Sequence, residues 1–401
     1  MKPETSPLGT TKLGYLMTRI MISCGEPSGD LYAAALTTEL RRLDDNLEVF
    51  GMGGEQLQAA GAQLLGDFRG LSVTGLSEAL SVLPRSLSMY RRLLAAARAQ
   101  RPDVFVPIDF PDFNLRLSSA VHRLGVPVAY YVGPQVWAWR SSRLRTLKRL
   151  AHRMFVIFPF EEDIYRRAGV PVEFVGHPLV DLAKVRESRT AFLSRRGLDV
   201  ASQTVALLPG SRPNELRFIL PVLVRAASMI AARVPAVQFV VARAPHLDTS
   251  LFEPLGEVVG SGGRAPVIVE SQADDVIAAS DVVLVASGTA TIQAAIHERP
   301  MVVVYRVSPL TYLARGLLQV DTFGMVNLVA GRQIVPELIQ DDFQPEAVAE
   351  EAVRFLTDST YVARTRSELR TVRHKLGDSG ASRRVAEAIL NIARRRREMK
   401  K

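Results

Sequence analysis

A chain of 401 residues, 47% hydrophobic and 23% charged, is an ordinary globular protein with room for two cores of about 150 to 200 residues each, which excludes disorder as its main state. Its single cysteine, Cys24, excludes a disulfide framework and a thiolate zinc cluster and points to a reducing compartment. The formal net charge of +9 is unevenly placed: residues 140–153 carry six basic side chains and no acid, and residues 394–401 carry six against one. Such clusters attract nucleic acid, phosphorylated substrates or anionic lipid heads, or they form a solvated helix face and a solubilising tail.

Residues 1–18 read as a loose extension broken by Pro3, Pro7, Gly9 and Gly14, with Met17 and Met21 as alternative starts; they lack the apolar core of a secretory signal. No stretch approaches the roughly 20 apolar residues that cross a bilayer, so the expectation is a cytosolic or peripheral protein.

From there strand-like and helix-like segments alternate, which favours parallel sheets covered on both faces. The first half, residues 19–180, predicts strands over 19–24, 48–51, 104–108, 127–132, 154–158 and 173–175. The second, 181–375, predicts strands over 205–208, 238–241, 267–269, 282–285 and 301–305. Each half reads as a Rossmann-like domain of an α/β protein. The boundary falls at Gly176-His177-Pro178-Leu179-Val180-Asp181, and the sequence turns mostly helical after Pro336. The terminal segment 376–401 is a basic helix expected to cross back onto the first domain.

In chain order, the first candidate site is Cys24-Gly25-Glu26-Pro27-Ser28-Gly29-Asp30, a strand, a turn and a helix start. In an open α/β sheet such a loop lies on the cleft rim; alternatively Ser28 and Asp30 cap the helix. Residues 71–94 repeat apolar positions at helical spacing with Arg85, Arg91 and Arg92 interspersed, which fits an element dipping into lipid or a buried helix. The strand 104–108 then ends in Asp109. Ile108 and Phe110 would raise its pKa by desolvation, making it the candidate general base, although it could instead anchor a turn. Asp112 fits a helix cap. Trp137 and Trp139 follow a glycine-proline turn, where they suit stacking on a sugar, packing along acyl chains, or core filling. His177 lies in the hinge, where a lone histidine is a cleft or a structural residue.

In the second half, Leu208-Pro209-Gly210-Ser211-Arg212 is an anion cradle: Gly210 lets the backbone approach, amides open at the helix start, and Arg212 supplies charge. Ser287, Gly288 and Thr289 repeat the arrangement after the strand 282–285. Two such loops suggest a nucleotide diphosphate, and neither has the spacing of an ATPase phosphate loop or a dinucleotide fingerprint. Asn327 is polar among apolar neighbours, which reads as a buried hydrogen bond. No metal-ligand spacing occurs.

Together these segments resemble the lipid-A-disaccharide synthases, membrane-associated glycosyltransferases of glycosyltransferase-B architecture. The matching stretches are Gly25-Glu26-Pro27-Ser28-Gly29-Asp30, Ile108-Asp109-Phe110-Pro111-Asp112-Phe113-Asn114, Val136-Trp137-Ala138-Trp139-Arg140, Val175-Gly176-His177-Pro178, Leu207-Leu208-Pro209-Gly210-Ser211-Arg212, Ala286-Ser287-Gly288-Thr289-Ala290 and Asn327-Leu328-Val329-Ala330-Gly331-Arg332.

The resemblance implies that UDP-2,3-diacylglucosamine donates its sugar to 2,3-diacylglucosamine 1-phosphate, with inversion, to give a β-1,6 disaccharide and UDP. It implies no cofactor, no metal and no nucleic acid. It also implies work at the inner face of the inner membrane, and leaves a homodimer open. Asp109 would be the base and Arg212 the charge for the departing diphosphate. Ser287, Gly288, Thr289 and Gln293 would line the nucleotide pocket, and Asn327 would be functional. At Gln293 many relatives carry a glutamate that accepts from the ribose hydroxyls; glutamine accepts without charge. The resemblance gives the 71–94 stretch a membrane-facing or acyl-binding purpose, and the basic residues near 140–153 a lipid or acceptor phosphate. Two other readings remain at this stage: a transferase or epimerase of the same fold acting on a soluble sugar, and a basic nucleic-acid-binding scaffold.

Overall fold

The structure, a computed structural model, describes residues 17–71, 76–136, 142–258, 264–306 and 324–399, with the backbone alone over 76–81. The chain builds two parallel sheets. The first contains β1 (Thr18–Cys24), β2 (Leu47–Gly53), β3 (Gln63–Asp67), β4 (Val104–Ile108), β5 (Val128–Tyr131), β6 (Ala151–Val156) and β7 (Val172–Phe174), in the order β3-β2-β1-β4-β5-β6-β7. The second contains β8 (Thr204–Leu208), β9 (Gln238–Arg243), β10 (Val267–Glu270), β11 (Val282–Ala286), β12 (Met301–Tyr305) and β13 (Glu337–Ile339), in the order β10-β9-β8-β11-β12-β13.

Both are doubly wound, and their central strands are apolar because helices cover both faces: β4, β8 and β11 are buried end to end. One buried cluster runs from Ile20, Ile22 and Val106 through Val175 and Leu179 to Ala206, Val283 and Val303, and takes in Val385 and Ile389 of the last helix. Val205, Leu207 and Leu284 pack in a second cluster with Leu220 and Ala352 on the other face of the second sheet. The opposite face of the first sheet carries two smaller clusters, one around Met21, Phe105 and Leu117 and the other around Tyr130, Met154 and Tyr165.

The last helix, Ala381–Glu398, lies against the helix Pro27–Leu43 of the first half. Arg396 donates to the carbonyls of Pro102 and Asp103, the latter at 2.9 Å, while Arg397 donates to the Met17 carbonyl at 2.7 Å and pairs with the Asp103 carboxylate. Arg384 holds the Val175 carbonyl through two nitrogens, at 3.0 and 2.8 Å, beside the crossover between halves.

Several expectations change. The edge strands β3 and β13 lie where the sequence predicts none, β13 within the stretch after Pro336 that reads as helical; β6 spans 151–156 rather than 154–158. Part of the basic charge is structural. Arg143 is buried against Asp112, Arg153 pairs with Glu173 at 2.8 Å, and Arg396 and Arg397 clamp the first sheet. The 71–94 stretch contributes most of the helix Leu76–Gln100, whose Leu93 and Ala97 are buried while Leu83 and Leu87 are 52% and 48% exposed. It therefore has both a core face and an apolar outer face; residues 72–75 lie outside the described residues.

Candidate active site

In a doubly wound sheet, loops splay apart where the strand order reverses, and ligands bind there beyond the carboxyl ends. The reversal falls between β1 and β4 in the first sheet and between β8 and β11 in the second. These four strands carry the four glycine- or acid-bearing loops singled out in the sequence. Register pairs Cys24 with Ile108, so the Gly25 and Asp109 loops leave the sheet side by side. A Cβ on Gly25 would lie 2.1 Å from the Phe110 ring, so no other residue fits without moving that ring.

Asp109 and Phe110 both hold left-handed backbone, at φ 47° and 49°, and Val132 beside them is at 57°. Left-handed non-glycine residues persist only where the surroundings force them. The forcing groups are visible. The Asp109 amide donates to the Val132 carbonyl at 3.1 Å, and its carbonyl accepts from the Tyr130 hydroxyl at 3.1 Å and from Asn114 Nδ2 at 2.8 Å. Asn114 is itself fixed, its Oδ1 accepting from Ser23 Oγ at 2.7 Å. The half-buried Asp109 carboxyl is pushed up to about 7, chiefly by burial and then by the charge of Glu26, with the Phe110 amide and Arg212 pulling the other way.

At the second reversal Gly210 is at φ 116°, and a Cβ there would meet Glu215 Oε2 at 2.6 Å. Here the expected open cradle is corrected: the Ser211 and Arg212 amides donate to Glu215 Oε2, at 3.1 and 3.3 Å, so the loop's own carboxylate already fills it. Arg212 Nη1 also meets Glu215 Oε1 at 3.1 Å, while Nη2 reaches across the cleft to Glu26 Oε1 at 2.8 Å. Burial alone would lower the Arg212 pKa, but Glu26 and Glu215 more than offset it and the net shift is upward. Beside it, burial and then Glu215 push the Tyr305 phenol up.

The neighbouring loop carries Ser287, whose amide donates to the Val304 carbonyl at 2.9 Å, and Gly288, which caps the helix Thr289–Ile296 without a side-chain bond. Thr289 is exposed at the helix start. Gln293, one turn on, donates its amide to Asp274 Oδ1 at 3.1 Å, and His297 Nε2 meets the same oxygen at 2.9 Å. The amide is thereby coupled to a carboxylate that sequence reasoning did not consider.

The other candidates fall as follows. Ser28 is half-buried in the first turn of the helix Pro27–Leu43, whose N-cap is Glu26. Asp30 does not cap that helix. Its carboxylate accepts from the amides of Gly54, Gln56 and Leu57, at 2.7, 3.0 and 3.2 Å, and so caps the helix Glu55–Ala59 instead. His177 is buried, its Nδ1 accepting from the Leu179 amide at 3.1 Å and its ring packed on Tyr32 and Phe158; burial lowers its pKa to about 3. Asn327 is 1% exposed, and both ends of its amide are engaged: Nδ2 with the Val335 carbonyl and Glu337, Oδ1 with the Ile334 and Val335 amides. Trp137 lies outside the described residues. Sequence reasoning missed Asn114, Tyr130, Glu215, Tyr305 and Asp274; of these Glu215 was findable, because an acid three residues past a helix N-cap is a capping signature.

Among the described residues no helix is long and apolar enough to cross a membrane, and no group of three histidine, cysteine, aspartate or glutamate residues could hold a metal ion.

Two Rossmann-like sheets, joined at their switch points by the Arg212–Glu26 pair and followed by a returning helix, define the glycosyltransferase-B class. The same architecture occurs in a UDP-N-acetylglucosamine 2-epimerase from Neisseria meningitidis, solved bound to UDP-GlcNAc, with TM-score 0.67 and 14% identity over 93% of this chain and 100% of that one. The calicheamicin glycosyltransferase CalG4 matches with TM-score 0.58 and 16% identity over 94% and 99%. At these identities the likeness speaks for the fold alone.

The family is given by sequence. The family model described as lipid-A-disaccharide synthetase matches residues 20–392. The lipid-A-disaccharide synthase of Myxococcus xanthus (strain DK1622) is 46% identical over 379 residues, 93% of this chain and 97% of that one. That of Geobacter sulfurreducens is 41% identical over 378 residues, again 93% and 97%. The chain belongs to the lipid-A-disaccharide synthetase family and is a hexosyltransferase of lipid A biosynthesis. That membership sets aside the reading as a nucleic-acid-binding scaffold.

Proposed function

We propose that the chain transfers the diacylated glucosamine of UDP-2,3-diacylglucosamine to 2,3-diacylglucosamine 1-phosphate, forming a β-1,6 disaccharide 1-phosphate and UDP. The observation that carries this is a single charge cluster spanning the two sheets: Asp109, with its raised pKa, senses both Glu26 and Arg212. Asp109 takes the proton from the acceptor's 6-hydroxyl as that oxygen attacks the anomeric carbon. The bond from that carbon to the diphosphate breaks on the opposite face, and its electron pair leaves with UDP, inverting the centre. Arg212 receives the diphosphate charge, and Ser287, Gly288 and Thr289 offer it hydroxyls and amides at a helix start.

A raised pKa suits the base because proton transfer is most effective when the base titrates near the working pH. Gln293, hydrogen-bonded to Asp274, meets the ribose hydroxyls in this reading, the carboxylate restoring the charge that glutamine lacks. A Staphylococcus aureus relative by fold was solved with UDP, consistent with a uridine nucleotide in this cleft. The exposed Leu83 and Leu87 and the exposed Arg85, Arg91 and Arg92 on the same helix support docking on the inner face of the inner membrane, where acylated substrates reside.

Incubating the protein with both acylated substrates and analysing the products by mass tests the reading. The disaccharide 1-phosphate is the expected product, lost in Asp109→Ala. Turnover of plain UDP-N-acetylglucosamine with no need for acyl chains would overturn it.

A further inference from the structure

The guanidinium of Arg212 is shared by two carboxylates of different origin. Glu215 belongs to the same loop and also binds the Ser211 and Arg212 amides, so it is built into the cradle. Glu26 comes from the other sheet, 186 positions away in sequence, and meets Nη2 at 2.8 Å. It sits at the N-cap of the helix Pro27–Leu43, where an acid ordinarily accepts from its own helix's amides, yet it makes no capping bond and turns to Arg212 instead. A carboxylate oxygen on a guanidinium nitrogen is the contact a phosphate oxygen would make there.

We infer that Glu26 is a positioning residue that occupies, in the ligand-free protein, the place on Arg212 that the donor's diphosphate takes, so that donor binding exchanges one anion for the other. The inference rests on the reading that Arg212 receives the diphosphate. Two consequences follow. Glu26 holds the guanidinium extended into the cleft and ties the halves together until the nucleotide arrives. Once displaced, its charge is no longer neutralised by Arg212 and stands beside Asp109, strengthening the base when both substrates are present.

Among the described residues, the groups facing Asp109 are Cys24, Glu26 and Tyr32 from β1 and the helix after it, Tyr130 from β5, Tyr165, and Arg212 from the second sheet. Of these only Glu26 and Arg212 carry charge near neutrality. Their pairing therefore decides the field at the base.

Titration calorimetry with UDP separates the claims. Half-exposed ion pairs are weak, so removing the competitor in Glu26→Gln is expected to tighten UDP binding about threefold to tenfold, with Glu26→Ala moving the same way and Glu26→Asp returning toward the original affinity. In the same Gln variant the acid limb of the activity profile moves to lower pH, because a charge that raises the Asp109 pKa is gone. Arg212→Ala should lose UDP binding. If Arg212→Ala loses it while Glu26→Gln binds UDP no tighter than the parent, the exchange is wrong and the diphosphate reading stands. If Arg212→Ala binds UDP undiminished, the diphosphate reading itself fails, and the exchange with it.

Discussion

At the β1–β4 switch point the left-handed backbone falls on Asp109 and Phe110, whereas at β8–β11 the positive φ values fall on Gly210 and Gly288. The first arrangement costs about 1–3 kcal/mol per strained residue; the second costs almost nothing sterically. The difference follows from what each loop must present. On the proposed roles, a base needs a side chain, so the first sheet keeps Asp109 and forces its backbone with Asn114, Tyr130 and Val132. An anion needs close backbone and a helix start, which glycine provides. Strain thus marks the side-chain end of the cleft and glycine the backbone end.

The comparison can be broken at either end. The largest effect is expected at Asp109: Asp109→Asn should lower kcat by about 10²–10⁴-fold while the circular dichroism spectrum is unchanged, the range of a lost general base. Next, Arg212→Ala should lower kcat/KM by about 10²–10³-fold, measured with saturating acceptor, because the departing diphosphate loses its cation. Gly210→Ala should destabilise the fold by about 1–3 kcal/mol in urea melts, since the new methyl combines a left-handed backbone with a clash on Glu215. A neutral urea midpoint there would mean the cradle is looser than its contacts imply.

Stability should also depend on pH at the strained end. The folded pKa of Asp109 is raised to about 7, so the folded state binds its proton more tightly than the unfolded chain. Its contribution is then fully present below the unfolded carboxylate value, near 4, and is lost as pH rises through about 7. Asp109→Asn should therefore raise the melting temperature more at pH 8 than at pH 5. His177 acts in the opposite direction in the same window: burial lowers its folded pKa to about 3, while the unfolded imidazole protonates below about 6.5. Its contribution is lost as pH falls below that value, equally in the parent and in Asp109→Asn, so the difference between the two proteins isolates Asp109. The smallest effect is expected at the ribose: Asp274→Ala should raise the donor KM about twofold to tenfold and leave kcat nearly unchanged, the worth of one hydrogen bond.

The sequence was most informative where burial is complete. The apolar runs that became β1, β4, β8, β11 and β12 announced themselves, and with them the loops at both switch points. Strands β3 and β13 did not, because Gln63–Asp67 and Glu337–Ile339 are short, half-buried and mix polar with apolar residues, whereas the apolar pairs Phe174-Val175 and Val267-Ile268 mark the edge strands β7 and β10. That Asp109 and Arg212 stand at the two switch points was legible from position alone. The partners that tune them were not: Asn114 and Tyr130 act from one connection or one strand away, and Glu26 meets Arg212 from the opposite sheet. Asp30 and Asn327 show the converse, polar residues in suggestive motifs whose hydrogen bonds turn inward.

Whether Asp109 is the base in a cleft completed by Arg212 is decided by the pH dependence of kcat/KM for disaccharide formation in the parent and in Asp109→Asn. The parent rate is expected to fall as pH drops below about 7, and the small residual rate of the variant to lack that limb. A variant that keeps near-normal turnover, or the same acid limb, would contradict that role for Asp109.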